Sequence, residues 1–308
     1  MKRLILAALL LIGTARATEV DVLLARAQEH AGAGRFAEAL PHFTEAAKLA
    51  PDNFRAHAGR GAMLNRLDHY AEALAAMDRA VALAPDRPML RYNRGLALWE
   101  VGRHTEAVAE FDRAIAGRPE LPMPYADRAL AKLCLGDLPG ALADCEKSLA
   151  ADSTYIWARY YRAMVHYVGG NFPKAADDFA AVSKKEPAFV AAQVWSHVAS
   201  RRAGRAPVVG AAPTTGLPWP EPLQAHLRGE ISAEELLRHA RAQRVPDDDR
   251  RLSAAHMIIG LAHLLAGTNG PAKESFTAAL ALAVPTHFEQ IVARAELGRL
   301  PRGSETRR

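Results

Sequence analysis

The apolar positions of this chain recur at helical spacing, and the whole pattern repeats every 34 residues. Each repeat contains a turn residue, then an alanine, then a bulky residue four positions after the alanine. The turn positions are Gly34, Asp68, Gly102, Gly136, Gly170 and Gly204, the alanines are Ala39, Ala73, Ala107, Ala141 and Ala175, and the bulky residues are Phe43, Met77, Phe111, Cys145 and Phe179. Residues four apart share one face of a helix, and a glycine commonly follows the end of a helix. The pattern therefore predicts a series of helical hairpins.

Each predicted hairpin closes at a residue that favours the end of a helix. These residues are Pro51, Pro85, Pro119, Ser153 and Pro187, and the hairpins cover residues 20–53, 54–87, 88–121, 122–155 and 156–189. Proline within a helix removes a backbone hydrogen bond and clashes with the preceding turn. Gly61 and Gly95 lie where two helices of a hairpin would approach closely, because a residue without a side chain leaves room for the bulky residue opposite.

This pattern resembles the tetratricopeptide repeat, or TPR. The resemblance implies an all-α fold, a right-handed superhelix of helical hairpins whose first helices line a groove that binds proteins or peptides. The family's first-helix tryptophan is replaced here, at Leu23, His57, Arg91, Tyr125 and Arg159. The repeats are therefore divergent examples of the pattern.

An arginine recurs three residues after each of these positions. The arginines are Arg26, Arg60, Arg94, Arg128 and Arg162. They could form a ladder that binds anions, or they could pair with second-helix acids such as Asp112, Asp144 and Asp178. We favour the structural pairing, since a long arginine stem also packs well between helices.

The repeat register breaks after a sixth first helix, predicted over residues 190–203. We divide the chain into a signal peptide (1–17), a TPR superhelix (18–204), a proline-rich loop (205–222), a C-terminal helical module (223–300) and a basic tail (301–308). The loop contains five prolines and two glycines, which exclude a continuous helix. In the module, Ser232 and Glu235 have capping-box spacing. Repeat spacing returns there at Gly260, Gly267, Ala272, Phe276 and Ala279.

The C-terminal module is similar to the end of bacterial envelope TPR adaptor proteins of the NlpI type. The similarity covers residues 255–300, and residues 219–235 resemble the stretch that precedes this part in those proteins. Those relatives include an outer-membrane lipoprotein that serves as an adaptor for a periplasmic protease. The resemblance implies an envelope scaffold whose partner is a protein or peptide, such as a periplasmic protease or a cell-wall enzyme. The family's lipid-attachment cysteine is missing, so no membrane anchor is predicted.

The N-terminal residues have the features of a secretory signal. Lys2 and Arg3 precede an apolar run over residues 4–12, and Ala15 and Ala17 form a small-x-small cleavage site. The run is too short to span a membrane. Cleavage before Thr18 would remove three basic residues and no acid, lowering the net charge from +5 to +2. We therefore expect a soluble periplasmic or secreted protein that does not bind nucleic acid.

Motifs that carry catalytic chemistry are missing from the 308 residues. No glycine-rich phosphate loop, H-E-x-x-H, G-x-S-x-G or C-x-x-C occurs, and the two cysteines, Cys134 and Cys145, are too few for a metal cluster. We expect no enzyme activity, no cofactor and no metal. One alternative stays open: an enzyme or small-ligand protein with a site at the junction of the repeats and the module, near Trp219, His226 and His239.

An apolar and aromatic stripe on the first helices is the predicted peptide-binding groove. Large aromatic residues and methionine bury much area when they bind a partner. The stripe consists of Met89, Tyr92, Trp99, Met123, Trp157, Tyr160, Met164 and Tyr167. Asn65 and Asn93 also lie on first helices, although the lysine and asparagine clamp of cytosolic chaperone co-factors is not assembled. The alternative is that the proline-rich loop or the C-terminal module covers the stripe.

Overall fold

The computed structural model describes residues 18–206, 220–241, 248–282 and 288–301. Regular secondary structure in these ranges is entirely helical, which confirms the predicted all-α class. The chain forms two compact units, residues 1–131 and 132–308. The predicted signal peptide, most of the proline-rich loop and nearly all of the basic tail lie outside the described residues.

The first unit consists of consecutive helical hairpins in the predicted register. Its helices are α1 (residues 18–32), α2 (Phe36–Leu49), α3 (Phe54–Arg66), α4 (Tyr70–Leu83), α5 (Pro88–Glu100), α6 (His104–Gly117) and most of α7 (Pro122–Cys134). Asn53 caps α3 by accepting the backbone N–H groups of Arg55 and Ala56 at 3.0 and 3.4 Å. Pro88 stands in the first turn of α5, where its missing N–H costs nothing. Local sequence signals thus set where these helices begin.

Close contacts between the two helices of a hairpin explain the glycine, alanine and bulky-residue spacing. A Cβ atom at Gly95 would lie 2.6 Å from the Phe111 ring, and one at Gly61 would lie 2.9 Å from the Met77 side chain. Phe111 is completely buried. The turn between helices needs a left-handed backbone, and Asp68 adopts it with φ 63° where the other repeats have glycine.

The second unit begins at the end of α7 and contains the remaining helices. These are α8 (Leu138–Ala151), α9 (Ile156–Val168), α10 (Phe172–Lys185), α11 (Val190–Arg202), α12 (Glu221–Leu227), α13 (Ala233–Arg241), α14 (Asp248–Leu265), α15 (Asn269–Ala281) and α16 (Phe288–Arg299). The predicted sixth first helix is α11. Ser232 caps α13 by accepting the Glu235 N–H at 3.1 Å, as its spacing predicted. α12 begins at Glu221 and therefore includes the last two residues of the predicted loop.

The hairpin of α14 and α15 repeats the packing of the N-terminal hairpins. A Cβ atom at Gly260 would lie 2.5 Å from the Phe276 ring, and the Phe276 side chain is fully buried. α14 packs against α11, and α16 packs against α9. The C-terminal helices and the last repeat hairpin therefore share one compact unit, although the break in repeat spacing predicted a domain boundary at residue 204.

Three of the five recurring arginines serve the structural role that we favoured. Arg94 contacts Asp78 at 2.6 Å and Glu110 at 2.9 Å. Arg128 contacts Asp112 at 2.5 Å. Arg162 donates two hydrogen bonds of 2.7 Å, one to each carboxylate oxygen of Asp178. These bonds join helices within and between hairpins, so these three arginines do not form a free anion ladder.

Candidate peptide-binding surface

In the first unit, the first helices α3, α5 and α7 together form one polar and aromatic surface. We call it the first-helix surface, defined by Asn65, Tyr92, Asn93, Trp99 and Asp127. Because the repeats stay in register, Asp127 lies 34 positions after Asn93 and occupies the equivalent place on the next first helix. α3 contacts α5, and a hydrogen bond of 2.7 Å from the Tyr92 hydroxyl to Asp127 joins α5 to α7.

A cavity of about 440 Å³ opens on this surface between α3, α4 and α5. Met77 and Leu96 form part of its apolar wall. Its polar wall includes Asn65, Arg66, Asn93 and Glu100. The combination of apolar walls and a few converging polar groups is typical of ligand-binding clefts.

The asparagines of this cavity supply hydrogen-bonding groups for a ligand. Asn65 Oδ1 is buried from solvent and accepts no hydrogen bond within the described part of the chain. A buried acceptor without a donor costs about 1 to 3 kcal/mol, so such atoms usually have partners. A carboxamide can accept an N–H and donate to a C=O at the same time, which are the two groups of a peptide main chain. The carboxamides of this cavity therefore match the hydrogen-bonding groups of an extended backbone.

Asp127 adds a carboxyl group to the same surface. Burial raises its pKa to about 6, and the hydrogen bond from the Tyr92 hydroxyl opposes that rise. No lysine, arginine or histidine of the described ranges lies within ion-pair distance of it. Neighbouring Arg128 is instead held by Asp112 at 2.5 Å.

Of the four stripe residues predicted in the first unit, Tyr92 and Trp99 belong to this surface, and Met89 and Met123 lie on the same first helices, α5 and α7. Met89 is 37% exposed, and Tyr92, Trp99 and Met123 are partly buried. The Trp99 ring packs against the His104 ring with centroids 6.2 Å apart. From the sequence, Asn65 and Asn93 were considered only as part of an unformed clamp, and Asp127 was missed. Its 34-residue offset from Asn93 was the signal that could have identified it.

In the second unit, the predicted stripe is mostly covered. Tyr160, Met164 and Tyr167 are 8%, 4% and 0% exposed, whereas Trp157 is 41% exposed. The Tyr160 ring packs on Phe189 with centroids 4.8 Å apart. The Tyr167 ring packs on Trp195 at 5.2 Å. These contacts leave little of α9 available to a partner.

Helix α16 is joined to α11 by a buried acid, Glu296, and to α9 by Arg299. Glu296 is completely buried and lies 3.1 Å from Arg202 of α11 and 3.0 Å from Arg299. Arg299 also donates to the backbone carbonyls of Tyr167 and Val168 on α9. Burial, with the nearby Glu296 charge, raises the pKa of the Tyr167 hydroxyl well above its ordinary value. The predicted stripe residues Tyr160 and Tyr167 are therefore buried against Phe189 and Trp195 of the predicted repeats, and α16 of the C-terminal module packs against the same helix α9.

The other candidates for chemistry have ordinary structural contacts. A ring nitrogen of His226 lies 3.0 Å from the Ile231 carbonyl oxygen, and one of His263 lies 3.1 Å from the Thr268 hydroxyl. Cys134 and Cys145 form no disulfide in the described part of the chain. Trp219 lies outside the described residues. Among residues 18–206 and the three later described ranges, no group of three or more potential metal ligands occurs. None of the helices that the structure describes is long and apolar enough to span a bilayer.

Comparison with known proteins agrees with the repeat geometry. A family model for the tetratricopeptide repeat matches residues 24–88, 66–122 and 92–156. Residues 24–156 form tetratricopeptide repeats. They include α3, α5 and α7, so the first-helix surface lies wholly on TPR hairpins. No curated protein sequence matched the chain.

Solved structures extend the likeness in fold beyond those residues. A TPR protein from Parabacteroides merdae is 15% identical, with a TM-score of 0.55, over 90% of this chain and 98% of its own. A thermophilic TPR protein of Thermus thermophilus is 20% identical, with a TM-score of 0.51, over 58% of this chain and 98% of its own. At these identities the likeness shows the fold alone.

Proposed function

We propose that this protein is a non-catalytic scaffold that binds an extended segment of a partner protein on its first-helix surface. The observation that carries the proposal is the buried Asn65 Oδ1 in the wall of the cavity, which accepts no hydrogen bond from the described residues. A backbone N–H of a bound peptide would satisfy this oxygen. The bound peptide would then offset the free-energy cost of burying this oxygen without a hydrogen-bond donor in the unbound protein.

The chemistry of the surface supports a peptide more than a small molecule. The two cavity carboxamides, of Asn65 and Asn93, match the alternating donors and acceptors of a main chain. Tyr92 and Leu96 lie on the same helix as Asn93 and offer apolar area to side chains of the peptide. Binding through the main chain would give affinity, and the neighbouring pockets would give specificity.

Scaffolding requires that the bound segment remain attached to a larger partner. Holding one partner raises its effective concentration near a second partner bound elsewhere. We propose no catalytic step, because the sequence has no recognised catalytic motif, and His226 and His263 contact their own backbone or a neighbouring side chain.

We also propose that the protein works outside the cytoplasm. The charged start, apolar run and Ala-x-Ala site of residues 1–17 support export, and the C-terminal resemblance supports an envelope partner such as a periplasmic protease or a cell-wall enzyme. Mass spectrometry of the protein from its own cells tests the export step. An N-terminus at Thr18 is expected, and an intact Met1 form confined to the cytoplasm would contradict it.

Selection from a phage-displayed library of random peptides tests the binding function. The full mature chain should enrich related sequences, and the affinity of a selected peptide should be measured by fluorescence anisotropy. Combined substitution of Asn65→Ala and Asn93→Ala should weaken binding at least about tenfold, because both backbone-binding carboxamides are lost.

The matched control is Asn269→Ala, which removes an exposed carboxamide at the start of α15 in the other unit. This control should bind the peptide like the wild type. Failure to enrich any peptide, or equal loss of binding in the control, would contradict the proposed function.

A further inference from the structure

We propose that Asp127 forms a subsite for a basic side chain, lysine or arginine, of the bound peptide. This inference rests on the proposed function, because it assigns a specificity to the same first-helix surface. Its basis is a carboxylate that the fold places on that surface without a positive partner among the described residues. Three observations carry it: the hydrogen bond of Asp127, its charge environment and its repeat position relative to Asn93.

The carboxylate of Asp127 has one oxygen in use and one available. Oδ2 accepts the hydrogen bond from the Tyr92 hydroxyl at 2.7 Å. Oδ1 accepts no hydrogen bond from the residues that the structure describes. Tyr92 therefore fixes the orientation of the carboxylate and leaves an acceptor for a ligand. An ionised carboxylate only accepts hydrogen bonds, so the matching ligand group must donate them.

The charge environment selects a cation among the possible donors. A partly buried carboxylate without a positive neighbour is costly, because burial weakens its hydration. The nearest arginine along the chain, Arg128, is bound to Asp112 and does not offset this charge. A lysine or arginine donates charge-assisted hydrogen bonds, which are about twice as strong as neutral ones. The Tyr92 ring beside the carboxylate can also attract a cation through its face.

Repeat geometry sets which peptide residue reaches Asp127. Asn93 and Asp127 occupy equivalent positions on neighbouring first helices, and packed helices are about 8 to 10 Å apart. An extended peptide advances about 3.3 Å per residue. A peptide held by Asn65 and Asn93 would therefore place a side chain about three residues further along at Asp127. The basic residue should stand at one fixed position relative to the segment that the asparagines hold.

The same random-peptide selection tests this subsite with a second variant. Peptides selected on the wild-type full chain should share a lysine or arginine at one position. Selection on Asp127→Asn, which removes the charge and keeps the side-chain shape, should lose that preference. Affinities should then be measured for one selected peptide and its lysine→alanine form against both proteins.

The wild type should lose at least about tenfold in affinity when the peptide lysine is replaced, and the Asp127→Asn protein should lose much less. Asp21→Asn is the matched control, since it removes the same charge from an exposed carboxylate on α1 of the same unit and leaves Arg128 bound to Asp112. It should keep the wild-type preference. If Asp21→Asn also abolishes the preference, the effect comes from net charge and the subsite is contradicted.

The possible failures of the two proposals can be distinguished. Enriched peptides without a conserved basic residue, or equal lysine dependence in Asp127→Asn, would overturn the subsite and leave peptide binding intact. The absence of any enriched peptide would overturn the proposed function, and the subsite with it. Circular dichroism of each variant should match the wild type. If a variant unfolds, the subsite is tested by whether the peptides selected on the wild type share a lysine or arginine at one position.

Discussion

Asp127 and Asn93 show how one repeat position can change its chemistry without changing its place. Both residues stand at the same point of successive first helices, where one presents a neutral carboxamide and the other a carboxyl. The 34-residue period predicted their shared place. It could not predict the hydrogen bond from Tyr92 or the lack of a nearby cation among the described residues, because both depend on side chains from neighbouring helices.

The raised pKa of Asp127 has a consequence for stability that pH titration can measure. Burial raises this pKa from its ordinary value of 3.8 to about 6, so the folded protein holds the proton more tightly than the unfolded chain between these values. The contribution of the residue to the free energy of unfolding therefore falls as pH rises from about 4 to about 6 and stays low above that range.

Asp127→Asn removes this titration and should relieve the burial of charge at neutral pH. We expect the variant to gain about 1 to 2 kcal/mol in unfolding free energy relative to the wild type between about pH 4 and pH 7, after allowance for partial exposure. Urea denaturation at a series of pH values measures this difference. A difference that is constant over the range would show that Asp127 is not buried as a charge.

At the scale of elements, the glycine and bulky-residue pairs hold the hairpins closed. The sequence predicted these contacts because the spacing of a glycine and a bulky residue reports directly on two neighbouring helices. The contact at Gly95 has no spare room, since a Cβ atom there would lie 2.6 Å from the Phe111 ring.

Gly95→Ala should therefore destabilise the protein, although alanine is the better helix former. Overpacking in a filled core costs about 1 to 3 kcal/mol, which exceeds the gain of about 1 kcal/mol from helix propensity. Gly32→Ala is the control, because its Cβ would meet no atom within 4 Å at the end of α1. Thermal denaturation followed by circular dichroism should show a lower midpoint for the first variant only. Equal midpoints would contradict the close contact.

The packing of α16 on α9 could not be predicted from residue spacing. Glu296 is distant in sequence from Arg202 and from the aromatic residues of α9, so no local pattern links them. The structure shows that the predicted stripe residues of the fifth repeat, apart from Trp157, are core residues of the second unit, and that α16 packs against their helix α9.

Glu296→Ala should weaken the packing of α16 on α9 and α11, because it leaves the guanidinium groups of Arg202 and Arg299 without their shared acid. Loss of one partner from a buried ion pair costs about 3 kcal/mol or more. Arg294→Ala on the exposed side of the same helix is the matched control. Acrylamide quenching of tryptophan fluorescence should increase in the first variant, as Trp195 loses contact with Phe288. Unchanged quenching and stability would contradict the role of Glu296.

For the whole molecule, the sequence predicted the helical class and the hairpin register more completely than the site. A repeating core pattern determines hairpins locally, so five units could be placed from residue spacing alone. The binding surface depends on which first helices stay uncovered, and in the second unit Tyr160 and Tyr167 of α9 are buried against Phe189 and Trp195. Our proposal therefore places partner binding on α3, α5 and α7 of the first unit.

Site-specific photo-crosslinking in the organism's own cells tests this assignment most directly. A photoreactive phenylalanine analogue should replace Arg66, which lines the cavity, or Ala109, which is exposed on the second helix α6. We predict a crosslinked partner from position 66 and none from position 109. Crosslinking from position 109 but not from position 66 would place the partner on another face and contradict binding at the first-helix surface.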